Sequence, residues 1–238
     1  MQQSELHYLP LPAEYFSVLI GIFVILLLVI QLSALRYAYL RIGVSSGAAL
    51  LLLFGSLIGS YFNIPIAQLP HEHVISAREV DFFGMRYSVP VVVQWPGTVI
   101  AVNVGGAIIP TAMSAYLLFR YQLWANGCLA IAVVAIGCYW LAQPVQGLGI
   151  ALPIFVPAVV TSITALALSR PYAPQLAYIA GSLGTLIGAD LLNLGKISGL
   201  GTPIASIGGA GTFDGIFLTG IISVLLASLT RPPRTSTS

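Results

Sequence analysis

Two carboxylates stand where carboxylates are costly. The chain has seven acidic residues. Glu5, Glu14, Glu72, Glu79 and Asp81 fall in the N-terminal segment or in one long polar loop, whereas Asp190 and Asp214 lie inside long apolar runs. An ionised acid at mid-membrane costs about 2.5–3.5 kcal/mol on insertion scales, so an acid kept there marks a candidate site for ion binding, proton relay or acid–base catalysis. Between Tyr121 and Ser169 the chain carries no charge at all. The two acids are equally far from Thr202, inside the Gly-rich stretch from Gly195 to Pro203. If the flanking runs pair as antiparallel helices, both acids stand at similar height, in the outer third of the bilayer. Two close carboxylates sharing one proton supply a base and an acid together, the chemistry of aspartyl hydrolysis.

Other polar residues could wall the same cavity. Asn103 is followed by Gly105, Gly106 and Pro110, which predicts a kinked or broken third helix. Gln143 and Gln146 flank Pro144, and Asn193 follows Asp190 by about one helical turn. Taken singly, each serves equally well as an interhelical hydrogen bond or a loop residue. Of the 24 glycines, eleven fall between Gly181 and Gly220, so backbone freedom is concentrated around the acids. Gly181, Gly184 and Gly188 recur at helical spacing and predict a smooth face for close packing. Gly208, Gly209 and Gly211 precede Asp214 and weaken any helix there. Irregular backbone at membrane depth is tolerated where it is buried or lines a wet cavity. A helix beginning near Thr212 would aim free N–H groups at an anionic group.

The elements that must position these residues follow from composition. The 238 residues are 58% hydrophobic and 7% charged, with mean hydropathy +0.96. Soluble domains carry nearer ~25% charge. An all-α polytopic membrane protein is expected, because lipid leaves no water to satisfy open backbone groups. Seven apolar segments emerge: 16–37, 44–66, 97–119, 126–141, 147–169, 174–194 and 206–229. They form a single integral membrane domain over residues 1–230, followed by a polar tail (231–238) that reads as disordered. No Lys or Arg precedes Arg36, and the first run is long for a signal-peptide core, so it reads as an uncleaved span. Cys128 and Cys138 lie ~15 Å apart along a helix and cannot bridge within it.

Charge sets the orientation. With the N-terminus outside, Arg36, Arg41, Arg120, Arg170, Arg231 and Arg234 collect on one side, and Arg78, Arg86 and Lys196 on the other. The richer side belongs in the cytoplasm, giving N-outside and C-inside. The long loop, 67–95, contains VISAREVDFFGMRYSVPVVVQ, which predicts a β-hairpin turning at Phe83-Gly84 on the outer surface. His71-Glu72-His73 has no third ligand nearby and reads as solvated loop, so no metal or other cofactor is expected. The net charge of +2 is scattered, which leaves no footprint for nucleic acid. The expected partners are membrane lipids and a transmembrane substrate peptide. No internal repeat stands out.

The runs SLGTLIGADLLNL and SIGGAGTFDGIFLTG resemble the signature of a family of prokaryotic multi-spanning proteins known as a domain of unknown function. NVGGAIIP and QPVQGLGIALP fit the same family, which implies no particular activity. A second resemblance is to the presenilin and signal-peptide-peptidase group of intramembrane aspartyl proteases. That group puts one Asp on each of two successive helices, the second within a Gly-x-Gly-Asp motif; Asp190 is similar to the first, and Gly209–Phe217, in which two residues separate Gly211 from Asp214, is similar to the second. The resemblance implies a catalytic pair of Asp190 and Asp214. Asn103, Gln143, Asn193, Gly208, Gly209 and Gly211 would support it, with the glycine segment presenting an extended substrate strand. The alternative is a transporter or channel in which the same acids bind a cation or relay protons.

Overall fold

Ala13–Arg41 winds into one long helix, α1, rich in Leu, Ile and Val. From Ile20 to Leu32 its large apolar side chains stay exposed, and among its described side chains only Ala38, Tyr39 and the following Ile42 are fully buried. Ile20–Arg41 is long and apolar enough to cross a membrane. The computed structural model describes residues 13–70, 72–82, 85–95, 97–146, 149–153, 155–209 and 215–229. Ser45 caps α2 (Ser46–Gly59), its hydroxyl accepting from the Ala48 N–H at 3.4 Å. The helix stops at Gly59, and the chain extends into β1 (Asn63–Gln68).

β2 (Glu72–Phe82) and β3 (Met85–Trp95) pair antiparallel without a break, from Glu72↔Trp95 to Phe82↔Met85. The expected hairpin is therefore present; Phe83 and Gly84, its expected turn, lie outside the described residues. β4 (Val99–Asn103) returns antiparallel to β1 and leads through a π-helical turn (Val104–Ile108) into α3 (Ile109–Tyr121). That is the predicted break in the third helix. α4 (Trp124–Leu141) follows, then a short hairpin of β5 (Gln143–Val145) and β6 (Gly149–Ala151), then α5 (Phe155–Leu168).

α6 begins as α-helix (Ala173–Ile179), widens through two π-helical turns (Ala180–Gly184 and Leu186–Asp190), and tightens to 3₁₀ geometry over Leu191–Lys196. The rod is central and mostly buried, because small residues let its neighbours approach closely. Added Cβ atoms would come within 3.0 Å of Gly220 Cα at Gly181 and 2.7 Å of Val134 Cβ at Gly184. Gly188 backs onto Ala135. The glycines thus serve two neighbours, α4 and the last helix, rather than one smooth face, since the π-helical turn shifts the phase between 181 and 184. β7 (Ile204–Ile207) then lies parallel to β4, completing a sheet of order β1-β4-β7, and α7 (Gly215–Leu229) ends the described chain.

Helix occurs in each expected segment, but four segments are corrected. The ends 63–66, 99–103, 149–151 and 204–207 are strand. An apolar run reads alike as helix or buried strand, and here pairing with a neighbouring strand decides for strand. Ile20–Arg41, Trp124–Leu141 and Ala173–Lys196 are long and apolar enough to cross a membrane; α2, α5 and α7 are shorter apolar helices. Arg36, Arg41, Arg120 and Arg170 lie at or near the helix ends on one side. There Arg41 donates to the Ser228 carbonyl at 3.3 Å, and Tyr121 and Gln175 both donate to the Ile42 carbonyl. The strands mark the opposite end.

Candidate functional site

Asp190 sits at the sheet end of α6, at the step from π to 3₁₀ geometry. That step disrupts the regular i→i+4 pattern, and carbonyls there need other donors. Asn193 supplies them: its Nδ2 donates to the carbonyls of Gly188 at 2.9 Å and Ala189 at 3.0 Å. Fully buried, it stabilises the bend that presents Asp190, and its Oδ1 has no partner among the described residues. Asp190 is half-buried, and its Oδ2 accepts from the Gly208 N–H at 2.7 Å. An N–H donating to a carboxylate is a charge-assisted bond, roughly twice as strong as a neutral one.

Gly208 and Gly209 have φ of +89° and +80°, a backbone that L side chains rarely adopt. They turn the chain sharply after β7. The Gly209 N–H closes the turn on the Ser206 carbonyl at 3.1 Å. The bend leaves a cavity of about 200 Å³ against Asp190. Its walls are Gly149 and Ile150 of β6, Leu194 and Ile197 after Asp190, the four residues of β7, and Gly209. All four consecutive residues of β7 line it although successive side chains point to opposite faces, so the cavity runs along the strand's open edge.

A polar network stands behind that strand. The Asn103 Oδ1 accepts from the Gly106 N–H at 2.8 Å, capping the π-helical turn. Its Nδ2 donates to the Ser60 carbonyl at 2.7 Å and to Asn63 Oδ1 at 3.0 Å. Ser206 Oγ lies 2.6 Å from the same Asn63 Oδ1 and 2.7 Å from the Gly209 carbonyl oxygen. The expected residues therefore separate. Asp190, Gly209 and, through its N–H, Gly208 meet at the cavity. Asn103 is buried and reaches it only through Asn63 and Ser206. Gln143 is exposed on β5, outside the lining, although β6 of the same hairpin forms one wall. Gly211 and Asp214 lie outside the described residues.

Three participants escaped the sequence reading. Asn63 and Ser206 lie inside apolar runs that predict helix, and Ile150 lies just past Pro144 and Gly147, which mark the boundary of a predicted span. No group of three or more His, Cys, Asp or Glu residues that could hold a metal occurs among the described residues. Cys138 is buried and Cys128 exposed, both free.

The fold and site thus define a mostly helical protein with three helices fit to cross a membrane and an aspartate-lined cavity where strands cap the bundle. The chain belongs to the family described as Protein of unknown function (DUF1614), whose model matches residues 57–226. That span takes in the cavity, its lining and the polar network. Neither the curated proteins nor the solved structures give a match.

Proposed function

We propose that this chain is a polytopic transport protein of the prokaryotic inner membrane, in which Asp190 binds a cation or carries a proton. The observation that carries the reading is Asp190 at a helix discontinuity, facing a cavity shared with Ser206 and Gly209. Transporter sites are typically built where helices are broken, because unwound backbone exposes carbonyls and N–H groups to a ligand. Seven helices would cross the bilayer, α2, α5 and α7 being extended across it by the strands or shielded by their neighbours. The arginine end would face the cytoplasm, and the hairpin β2–β3 would lie outside.

The test is flux. Proteoliposomes carrying the full chain and a trapped pH dye would be given a sodium, a potassium or a proton gradient. Asp190→Asn should reduce the flux at least tenfold while leaving folding intact. Equal flux in wild type, Asp190→Asn and protein-free vesicles would end this reading.

A second reading keeps Asp190 and Asp214 as an aspartyl protease pair. What favours it is the open edge of β7 along the cavity, since an edge strand can pair with an extended peptide. The strand runs in sequence directly toward Asp214. Either Asp→Asn change should then abolish cleavage of a helical membrane peptide, because one carboxylate cannot act as both base and acid. Cleavage surviving in either variant would exclude the pair.

A further inference from the structure

With the strands aligned, a repeat becomes visible. Residues Gly97–Ala107 read GTVIAVNVGGA and Gly201–Ala210 read GTPIASIGGA, one string with a single deletion before the polar position shared by Asn103 and Ser206. The helices leading in repeat too: Gly55–Ser60 is GSLIGS and Gly184–Ala189 is GTLIGA. Each copy runs helix, strand, Gly-Gly-Ala, helix, and the first copy carries the hairpin β2–β3 as an insertion. The copies also touch. Their strands pair in parallel from Val99↔Ile204 to Val102↔Ile207, and Thr98 Oγ1 donates to the carbonyl of its counterpart Thr202 at 2.8 Å. Gly208 packs on Gly106 and Ala107, where a Cβ would come within 2.6 Å of the Ala107 nitrogen.

The copies differ at the shared polar position. In the first, Asn103 is satisfied by the Gly106 N–H, the Ser60 carbonyl and Asn63. In the second, Ser206 has one hydroxyl hydrogen and two acceptors, Asn63 Oδ1 and the Gly209 carbonyl. One hydrogen cannot serve both fully. Ser206 and Gly209 both line the cavity, as does Asp190, and among the described residues no basic side chain lines it.

We propose that this cavity is a site for one small monovalent cation, held by the Asp190 carboxylate, the Ser206 hydroxyl and the Gly209 carbonyl. Asn63, from the first copy, acts as a positioning residue. The inference rests on the cation-binding reading above and narrows it. Without the ion, the Ser206 hydrogen points at the Gly209 oxygen. With the ion, it turns to Asn63 Oδ1, which has two lone pairs and accepts from both Ser206 and Asn103. That leaves the Ser206 and Gly209 lone pairs for the ion. Hard oxygen ligands suit alkali cations, and one carboxylate balances one positive charge. The first copy lacks the acid, because Tyr61 follows GSLIGS where Asp190 follows GTLIGA, and its Asn103 Oδ1 already accepts from the Gly106 N–H.

Thermal unfolding of the purified full chain tests it, in sodium, potassium or choline chloride at equal ionic strength. A saturable rise in Tm is expected with sodium or potassium and not with choline, since a ligand that binds only the folded state stabilises it by mass action. Asp190→Asn should abolish the rise. Ser206→Ala and Asn63→Ala should each shift its half-saturation at least tenfold upward, Ser206→Thr should restore it, and Thr164→Val on α5 should leave it unchanged. Equal Tm in all three salts, or a rise that survives Asp190→Asn and Ser206→Ala, would overturn the proposal. The two readings fail separately. A salt-dependent Tm without flux removes transport and leaves the site, whereas Asp190-dependent proton flux without any salt effect does the reverse.

Discussion

Asp190 keeps its place through a neighbour that has no side chain. Its carboxylate takes the N–H of Gly208, and that N–H is presented by a residue at φ +89° pressed on Ala107. A methyl group there meets two penalties at once. The left-handed backbone costs an L residue about 1–2 kcal/mol, and the Cβ would stand 2.7 Å from the Ala107 Cβ and 2.6 Å from its nitrogen. Gly208→Ala should therefore destabilise the protein by about 2 kcal/mol or more, read as a lower Tm in detergent. Gly149→Ala makes the comparison: its φ is also positive, at +105°, yet nothing lies within 4 Å of an added Cβ. It should show the backbone cost alone. Equal Tm losses in the two variants would mean that the contact with Ala107 contributes nothing.

Among the elements, the hairpin β2–β3 is the one piece of β structure that the sequence foretold. Its ladder runs unbroken over eleven residue pairs. Charged residues alternate imperfectly with apolar ones along its sequence. Alternate amides of residues 73–81 and 86–94, those whose N–H points into the ladder, should exchange slowly in pulse-labelling experiments, and the outward-pointing ones fast. Fast exchange throughout would mean that the hairpin does not persist in solution. The short strands were not foretold. β1, β4 and β7 lie in apolar runs that also read as helix, and only their pairing across long separations in sequence distinguishes them. Asn63↔Asn103 and Val102↔Ile207 are such pairs.

At the scale of the whole molecule, the charge distribution and the fold agree on two ends. Arg36 binds Ser46, Arg41 reaches the Ser228 carbonyl, and Tyr121 packs on Tyr172 with rings 5.7 Å apart. These contacts draw the arginine-bearing turns together, opposite the sheet. An N-outside arrangement predicts how single cysteines behave in a background in which Cys128 and Cys138 are replaced. A cysteine at Ser88 should react with an impermeant thiol reagent in intact cells, and one at Ser236 should react only after lysis. The reverse pattern would invert the topology.

Composition alone determined that the chain belongs to an apolar, helix-dominated class, because 7% charge leaves too few polar groups to solvate a surface this size. Local pattern located α1, α4 and α6, the break after Asn103 and the hairpin at 72–95, since each depends on residues near one another in sequence. Asp190 was legible for the same reason: an acid in an apolar run stands out without any structure. What it contacts was not. Gly208 lies eighteen residues away, Ser206 was hidden in a presumed helix, and Asn63 comes from the other copy of the repeat, more than a hundred residues upstream. Gln143, chosen for its polarity, proved to be exposed. Hydropathy records what each residue prefers to be near, but only the packing of α6 against α4 and of β7 against β4 decided which oxygens would face one cavity.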